Sequence, residues 1–314
     1  MKILIYHNFT EEQLEALRQV APGHEVFRAS NEEEAIGLVA DAEVLMGSFP
    51  APVFAAAKQL KWIQSFSAGL DAFLYPEVIE SDVVLSNMAG IYASQGGEHA
   101  WALLLALTRN LHTFMHHQDN RVWESRDVVE LRGGTLGVIG LGGFGLEIAK
   151  RSLGYDMTVI ATDSVRTEAP DWVSEIKPAT RENLFDLLKR SDVVAIGCPL
   201  TEETYHLISQ EELAAMKKSA YLVNVTRGGI IDEPALATAL EQGEIAGAGL
   251  DVCEKEPLAE DSPLWNAPNL ILTPHRAGFS QHRVRMVGEF ACENLGRYLR
   301  GEEVRNIVVK DRGY

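Results

Sequence analysis

The sequence is poor in cysteine, poor in basic residues relative to acidic ones, and without a long apolar run. Each shortage removes a class of protein. The three cysteines, Cys198, Cys253 and Cys292, are isolated, odd in number and lack metal-ligand spacing. A disulfide framework and a cysteine-held metal are thereby excluded, and a reducing compartment is indicated. Lysine and arginine total 28 against 45 aspartates and glutamates, a formal net charge of −17. With no basic cluster, nucleic acid and anionic membrane surfaces are poor partners for such a chain. The longest apolar run, residues 100–107, is far too short to span a bilayer. Met1-Lys-Ile-Leu-Ile-Tyr-His starts a strand at once, with no signal-peptide core. The expectation is a soluble, cytoplasmic protein. At 314 residues and 46% hydrophobic content it has ample material for about two domains.

What is present is one stretch with a dinucleotide-binding layout. Thr135-Leu-Gly-Val-Ile reads as an apolar strand, Gly140-Leu-Gly142-Gly-Phe144-Gly145 as a glycine-rich turn, and the residues after it as an amphipathic helix. A second apolar strand follows over 157–162 and ends on Asp163. Gly140 permits the tight turn, Gly142 lets backbone approach a pyrophosphate, and Gly145 lets the helix pack closely on the strand. The helix N-terminus presents unpaired N–H groups and a partial positive charge to phosphates. Asp163 stands where a carboxylate accepts the adenosine ribose hydroxyls and repels a 2′-phosphate. The stretch reads as an NAD site.

The rest of the chain alternates strand and helix. Before residue 90, strands are expected at 2–6, 24–28, 43–46, 61–66 and 83–85. Thr10 and Asn31 are placed to cap helices. A long helix is expected from 94 to about 117, then polar loop up to Gly134. Further strands are expected at 192–196, 220–225, 245–250 and 270–272, a last helix at 280–300, and a strand-like tail at 304–309. Such alternation implies parallel sheets covered by helices, hence two doubly wound α/β domains.

The polar residues at strand ends are the chemical ones, since ligands in open α/β sheets sit beyond the carboxyl ends. Three successive strands end in Asn224-Val-Thr226-Arg227, in Asp251 through Glu256, and in Thr273-Pro-His275. A guanidinium holds a carboxylate in bidentate fashion and polarises an adjacent carbonyl. A histidine passes a proton to oxygen as hydride reaches carbon. A neighbouring carboxylate fixes the ring and favours the imidazolium. Taken singly, Arg227 or Glu256 reads as a surface ion-pair partner; their convergence below a cofactor fingerprint favours catalysis.

In this order the motifs resemble those of the D-isomer-specific 2-hydroxyacid dehydrogenases over nearly the whole chain. The matching segments are Ser67-Ala68-Gly69-Leu-Asp71, Asn87-Met-Ala-Gly90 through Glu98-His99, and the glycine turn with Asp163. Further on come Cys198-Pro199-Leu-Thr-Glu-Glu-Thr204, Val223-Asn-Val-Thr-Arg-Gly-Gly-Ile-Ile-Asp232, Gly249-Leu-Asp251 through Glu256-Pro257, and Pro274-His275. The resemblance implies a flavodoxin-like substrate-binding domain over residues 1–98 and 281–314. A Rossmann NAD-binding domain over 99–280 is inserted in it. It implies Arg227 as carboxylate anchor, His275 as general acid/base and Glu256 as its partner. It also implies that Asp251 contacts the nicotinamide carboxamide, and that Pro199, Thr204, Thr226, Phe144 and Gly278 lie beside the cofactor. The amides of Ala68 and Gly69 would bind the substrate carboxylate, domain closure would exclude water, and a homodimer would form through the cofactor domains.

Several residues depart from the family pattern. Gly143 stands where many relatives have an arginine, Gly96-Gly97 replaces a commoner Val-Ala and is expected to loosen a helix start, and Arg276 is an unusual neighbour for His275. Arg166, three residues past Asp163, leaves room for NADP. The activity implied is NAD(H)-dependent interconversion of a 2-oxo acid and the D-2-hydroxy acid. The loop from Ser65 to Asp71 has no basic residue for a phosphorylated substrate, while Phe49, Phe66 and Tyr92 suit either an apolar side chain or the core. The alternative is an NAD(H)-sensing binding module like the C-terminal-binding corepressors. The near-minimal length favours the enzyme.

Overall fold

The computed structural model describes residues 1–313; Tyr314 lies outside the described residues. The chain forms two compact units, one of residues 1–92 with those from Ser280 onward, the other Ala93–Phe279. The second is therefore inserted in the first. The chain leaves the first unit at Tyr92, where a long helix begins, and not inside that helix after Glu98.

In the first unit, β1 (Lys2–Tyr6), β2 (Glu25–Arg28), β3 (Val44–Gly47), β4 (Trp62–Gln64) and β5 (Val84–Ser86) form a parallel sheet ordered β2-β1-β3-β4-β5. Helices α1 (Glu11–Val20), α2 (Glu32–Val39), α3 (Ala51–Ala56) and α4 (Pro76–Ile79) alternate with them. Thr10 and Gln13 close a capping box on α1, and Asn31 caps α2 through the Glu34 amide. Ile3, Leu4, Ile5, Leu45, Met46, Trp62 and Ile63 are fully buried, as expected of parallel strands covered on both faces.

In the second unit the helix expected over 94–117 is two: α5 (Ala93–Thr108) and α6 (Leu111–Asp119). Asn110, left-handed at φ 54°, breaks it, a conformation asparagine tolerates better than most residues. Seven parallel strands follow: β6 (Thr135–Ile139), β7 (Thr158–Asp163), β8 (Glu175–Pro178), β9 (Val193–Ile196), β10 (Tyr221–Asn224), β11 (Gly247–Leu250) and β12 (Leu270–Leu272). Their order is β12-β11-β10-β9-β6-β7-β8. β8 was not expected. It is an edge strand of four residues, none fully buried, and so leaves little apolar signal. Helices α7 (Gly143–Arg151), α8 (Arg181–Arg190), α9 (Gln210–Ala215) and α10 (Glu233–Gln242) cover the sheet. Strand order reverses between β6 and β9, the place where a doubly wound sheet opens a crevice.

Gly96 and Gly97 do not loosen α5. Both are buried, and a Cβ on Gly96 would lie 2.0 Å from the ring of Phe144. On Gly97 it would lie 2.7 Å from the Arg151 guanidinium. The pair lets α5 close on α7, and that packing overrides the poor helix propensity.

Back in the first unit, α11 (Arg283–Leu299) is the last helix. The tail expected as a strand makes a single antiparallel bridge, Ser86 with Ile307. Asn306 is left-handed at φ 56°, which stops the pairing from extending.

Candidate active site

The glycine turn joins β6 to α7 at the reversal of strand order. Gly140 has φ 87°, and a Cβ there would lie 2.5 Å from the Cys198 amide nitrogen on the neighbouring strand end. A Cβ on Gly145 would lie 2.0 Å from the Gly140 carbonyl oxygen. Gly142 differs: the nearest atom to its Cβ position is the Gly197 oxygen at 4.0 Å. Gly140 and Gly145 are thus small because protein surrounds them, whereas Gly142 borders open space. No side chain caps the start of α7 among the described residues, so its first amides face that space. Uncapped amides beside open space are the features that a pyrophosphate requires of a helix start. A cavity of about 680 Å³ lies at the ends of β6 and β7, lined among others by Ile139, Thr162, Thr180, Tyr205 and His206.

Asp163 ends β7 with its carboxylate turned back on its own loop. Oδ2 accepts the Leu141 amide at 2.7 Å, and Oδ1 accepts those of Val165 and Arg166 at 2.9 and 2.7 Å. It fastens the glycine turn, and the Arg166 side chain stands exposed nearby in sequence. Phe144 turns its ring onto Gly96. Thr204 Oγ1 donates to the Pro199 carbonyl at 2.7 Å and accepts the Thr201 amide at 2.7 Å, closing the loop after β9. The Cys198 thiol is pushed up to about 12 by burial, so it carries no thiolate chemistry there.

Arg227, Asp251 and His275 come from three adjacent strands, β10, β11 and β12. Asn224 shapes the first loop: its Oδ1 accepts the Thr226 amide and hydroxyl at 3.0 Å each, and its Nδ2 donates to the Arg227 carbonyl at 2.7 Å. Thr226 is buried beneath it, and Arg227 is partly buried. The Asp251 side chain is fully buried, with the Arg276 and Ala277 amides donating to it at 2.9 and 2.7 Å and the Thr273 hydroxyl at 2.6 Å. His99, from α5, lies 3.3 Å from the same carboxylate and 2.8 Å from Thr273 Oγ1. Burial alone would raise the Asp251 carboxyl, but these donors outweigh it and hold it below its ordinary value. Asp251 therefore moulds the 273–277 turn, which includes His275 and adjoins Gly278. The His275 amide donates to the Asp251 carbonyl at 2.7 Å, and the residue is left-handed at φ 52°. That conformation turns its ring to Glu256, whose Oε2 is 2.7 Å from Nδ1.

Glu256 Oε1 accepts the Cys253 amide at 3.1 Å, so one carboxylate binds both its own loop and the imidazole. Four residues around that loop were not singled out in the sequence. Glu254 accepts from Tyr205 Oη at 2.7 Å and pairs with His206 Nε2 at 3.1 Å, and its amide donates to Glu233 Oε1 at 2.6 Å. Tyr205 and His206 hold the Glu254 carboxyl below its ordinary value. Burial, then the Glu254 and Glu256 charges, raise that of Glu233. Burial with the Glu233, Glu256 and Asp251 charges pushes the Cys253 thiol up to about 12. His99 and Thr273 were also missed as partners of Asp251. Both had a sequence signal: His99 ends the Asn87–His99 segment, and Thr273 opens Thr273-Pro-His275.

Arg227, Asp251, Glu256, His275, the glycine turn, Asp163, Pro199 and Thr204 thus all stand at strand ends of one sheet. Ala68 and Gly69 belong to the other unit, in the loop after β4, where Asn87 Nδ2 donates to the Ala68 carbonyl at 2.8 Å. Among the described residues no helix is long and apolar enough to cross a membrane.

Residues 101–277 match the family described as D-isomer specific 2-hydroxyacid dehydrogenase, NAD binding domain. A glyoxylate reductase of Korarchaeum cryptofilum is 36% identical over 275 residues, covering 84% of this chain and 81% of its own. A D-3-phosphoglycerate dehydrogenase of Archaeoglobus fulgidus is 35% identical over 316 residues, covering 98% of this chain but 59% of its own. Among solved structures, a D-isomer specific 2-hydroxyacid dehydrogenase from Xanthobacter autotrophicus in complex with NADPH and MES superposes with a TM-score of 0.84. It is 29% identical, with 99% of each chain covered.

Proposed function

The chain belongs to the D-isomer-specific 2-hydroxyacid dehydrogenase family, and from that membership we propose that it interconverts a 2-oxo acid and its D-2-hydroxy acid, with His275 as general acid/base and Arg227 as carboxylate anchor. The observation that carries the reading is the His275–Glu256 pair at 2.7 Å. With Nδ1 committed to a carboxylate, Nε2 is the nitrogen that gives a proton to the carbonyl oxygen and takes it back in reverse. The Arg227 guanidinium binds the carboxylate and draws electron density from the adjacent carbonyl. A bound nicotinamide dinucleotide supplies or accepts the hydride at the substrate C2. The first amides of α7 and the space beside Gly142 hold its pyrophosphate, and Asp163 meets the adenosine ribose. NAD is the expected cofactor; the exposed Arg166 and the NADPH bound by the Xanthobacter relative keep NADP in view.

Glyoxylate is the first substrate to try, because a relative covering most of both chains acts on it. A phosphorylated acid finds no cation in the Ser65 to Asp71 loop. We also propose a homodimer through the Ala93–Phe279 unit. Leu111, Met115, Val122 and Trp123 are exposed there, close in sequence, with Trp123 at 104% and Met115 at 67%, and association would take these large apolar side chains out of water. The free cysteines and the acid charge support a cytoplasmic setting. The test is NADH and NADPH oxidation against 2-oxo acids from glyoxylate to phenylpyruvate, with His275→Ala alongside. Turnover lost in His275→Ala with NADH still bound supports the reading. Full turnover in that variant, or none with any acid in the parent, overturns it.

A further inference from the structure

Glu256 rides on an exposed loop, since Glu254, Lys255, Glu256 and Pro257 are all solvent-accessible. A general acid needs its carboxylate partner held still, so the restraints on this loop bear on the chemistry. One restraint is the Glu254 carboxylate, gripped by the Tyr205 hydroxyl at 2.7 Å and by His206 Nε2 at 3.1 Å. The two rings stack with centroids 4.0 Å apart. His206 is left-handed at φ 50°, an uncommon conformation for a residue other than glycine. Its amide donates to the Gly229 carbonyl at 2.8 Å, two residues past Arg227. His206 therefore touches both arms of the site: backbone to the Arg227 segment, side chain to the Glu256 loop. Tyr205 and His206 also line the cavity at the ends of β6 and β7.

We propose that Tyr205 and His206 are positioning residues for hydride transfer, acting through Glu254 to keep Glu256 seated on His275. The proposal rests on the assignment of His275 as general acid/base. It differs from an ordinary surface ion pair, which would add a little stability and leave turnover alone.

The test uses Tyr205→Phe, which removes one oxygen and keeps the stacked ring, and Glu254→Gln, each also placed in a Glu256→Gln background. The acid turned over fastest by the parent protein is the substrate. In the otherwise unchanged protein each substitution is expected to lower kcat about ten-fold, while KM and Kd for NADH stay within about two-fold. In the Glu256→Gln background the same substitutions should change kcat by less than about two-fold, because the group they position is already gone. An unchanged kcat for Tyr205→Phe overturns the proposal, as does an equal loss in both backgrounds. His275→Ala keeps the two readings apart. If it retains turnover, the assignment of His275 fails; if it is dead while Tyr205→Phe is fully active, only the positioning role fails.

Discussion

A Cβ on Gly228 would lie 1.9 Å from the carbonyl carbon of Cys253 and 2.3 Å from the Glu254 amide nitrogen. The segment that follows Arg227 therefore rests, backbone on backbone, against the loop that carries Glu256. No flexible side chain lies between them to absorb an added methyl. Gly228→Ala is expected to cost about 1–3 kcal/mol of stability and to push the two loops apart. Thermal melting with steady-state kinetics checks this; a variant with the parent Tm and kcat would show that the loops have slack.

Gly142 and Gly145 belong to one turn yet predict opposite phenotypes. A Cβ on Gly145 meets the Gly140 carbonyl at 2.0 Å, while on Gly142 it meets nothing nearer than 4.0 Å. Gly145→Ala should lower Tm in the absence of cofactor. Gly142→Ala should leave the cofactor-free Tm in place and weaken NADH binding, about ten-fold or more, by filling the space backbone needs beside a pyrophosphate. Isothermal titration and melting of both variants separate the cases.

Asp251 predicts a pH dependence with a definite sign. Its donors depress the carboxyl in the folded protein, so its contribution is present above the unfolded value, about 3.9, and fades as pH falls through the lower folded value. Asp251→Asn should destabilise by about 1–3 kcal/mol at neutral pH, since an amide NH₂ then confronts backbone N–H groups. The gap between variant and parent should narrow in the acid range. Urea melts from neutral pH down to strongly acid pH test it, and a constant gap would refute the sign.

Arg227→Lys keeps the charge and discards the planar fork. Loss of one charge-assisted hydrogen bond to a carboxylate predicts a fall in kcat/KM of about 10²-fold. NADH affinity should hold, because Arg227 belongs to the substrate side of the reading. Initial rates over a range of 2-oxo acid concentrations measure it.

Much of this was legible in the sequence, for reasons that can be named. Buried parallel strands such as Ile3-Leu4-Ile5 and Val193-Val194-Ala195 are apolar throughout, and the caps at Thr10 and Asn31 are local chemistry. Arg227, Glu256 and His275 stood out because successive strands end in them. What escaped was either marginal or non-local. β8 buries too little to show, and the break at Asn110 interrupts a run whose residues still favour helix. The tie from His99 to Asp251 spans far-separated residues, and the grip of Tyr205 and His206 on Glu254 joins loops about fifty residues apart. No local pattern announces such pairs.

Gly96 and Phe144 set a constraint on how this protein can change. The ring occupies the volume a side chain at 96 would need, so position 96 cannot enlarge while Phe144 keeps its ring. Enlarging Gly96 requires first shrinking Phe144, and a single step in the wrong order meets a barrier that the double step avoids. Gly96 on α5 and Phe144 on α7 are thus one packing unit. Gly96→Ala should lower Tm while Phe144 is present, and a smaller residue at 144 in the same chain should recover much of the loss.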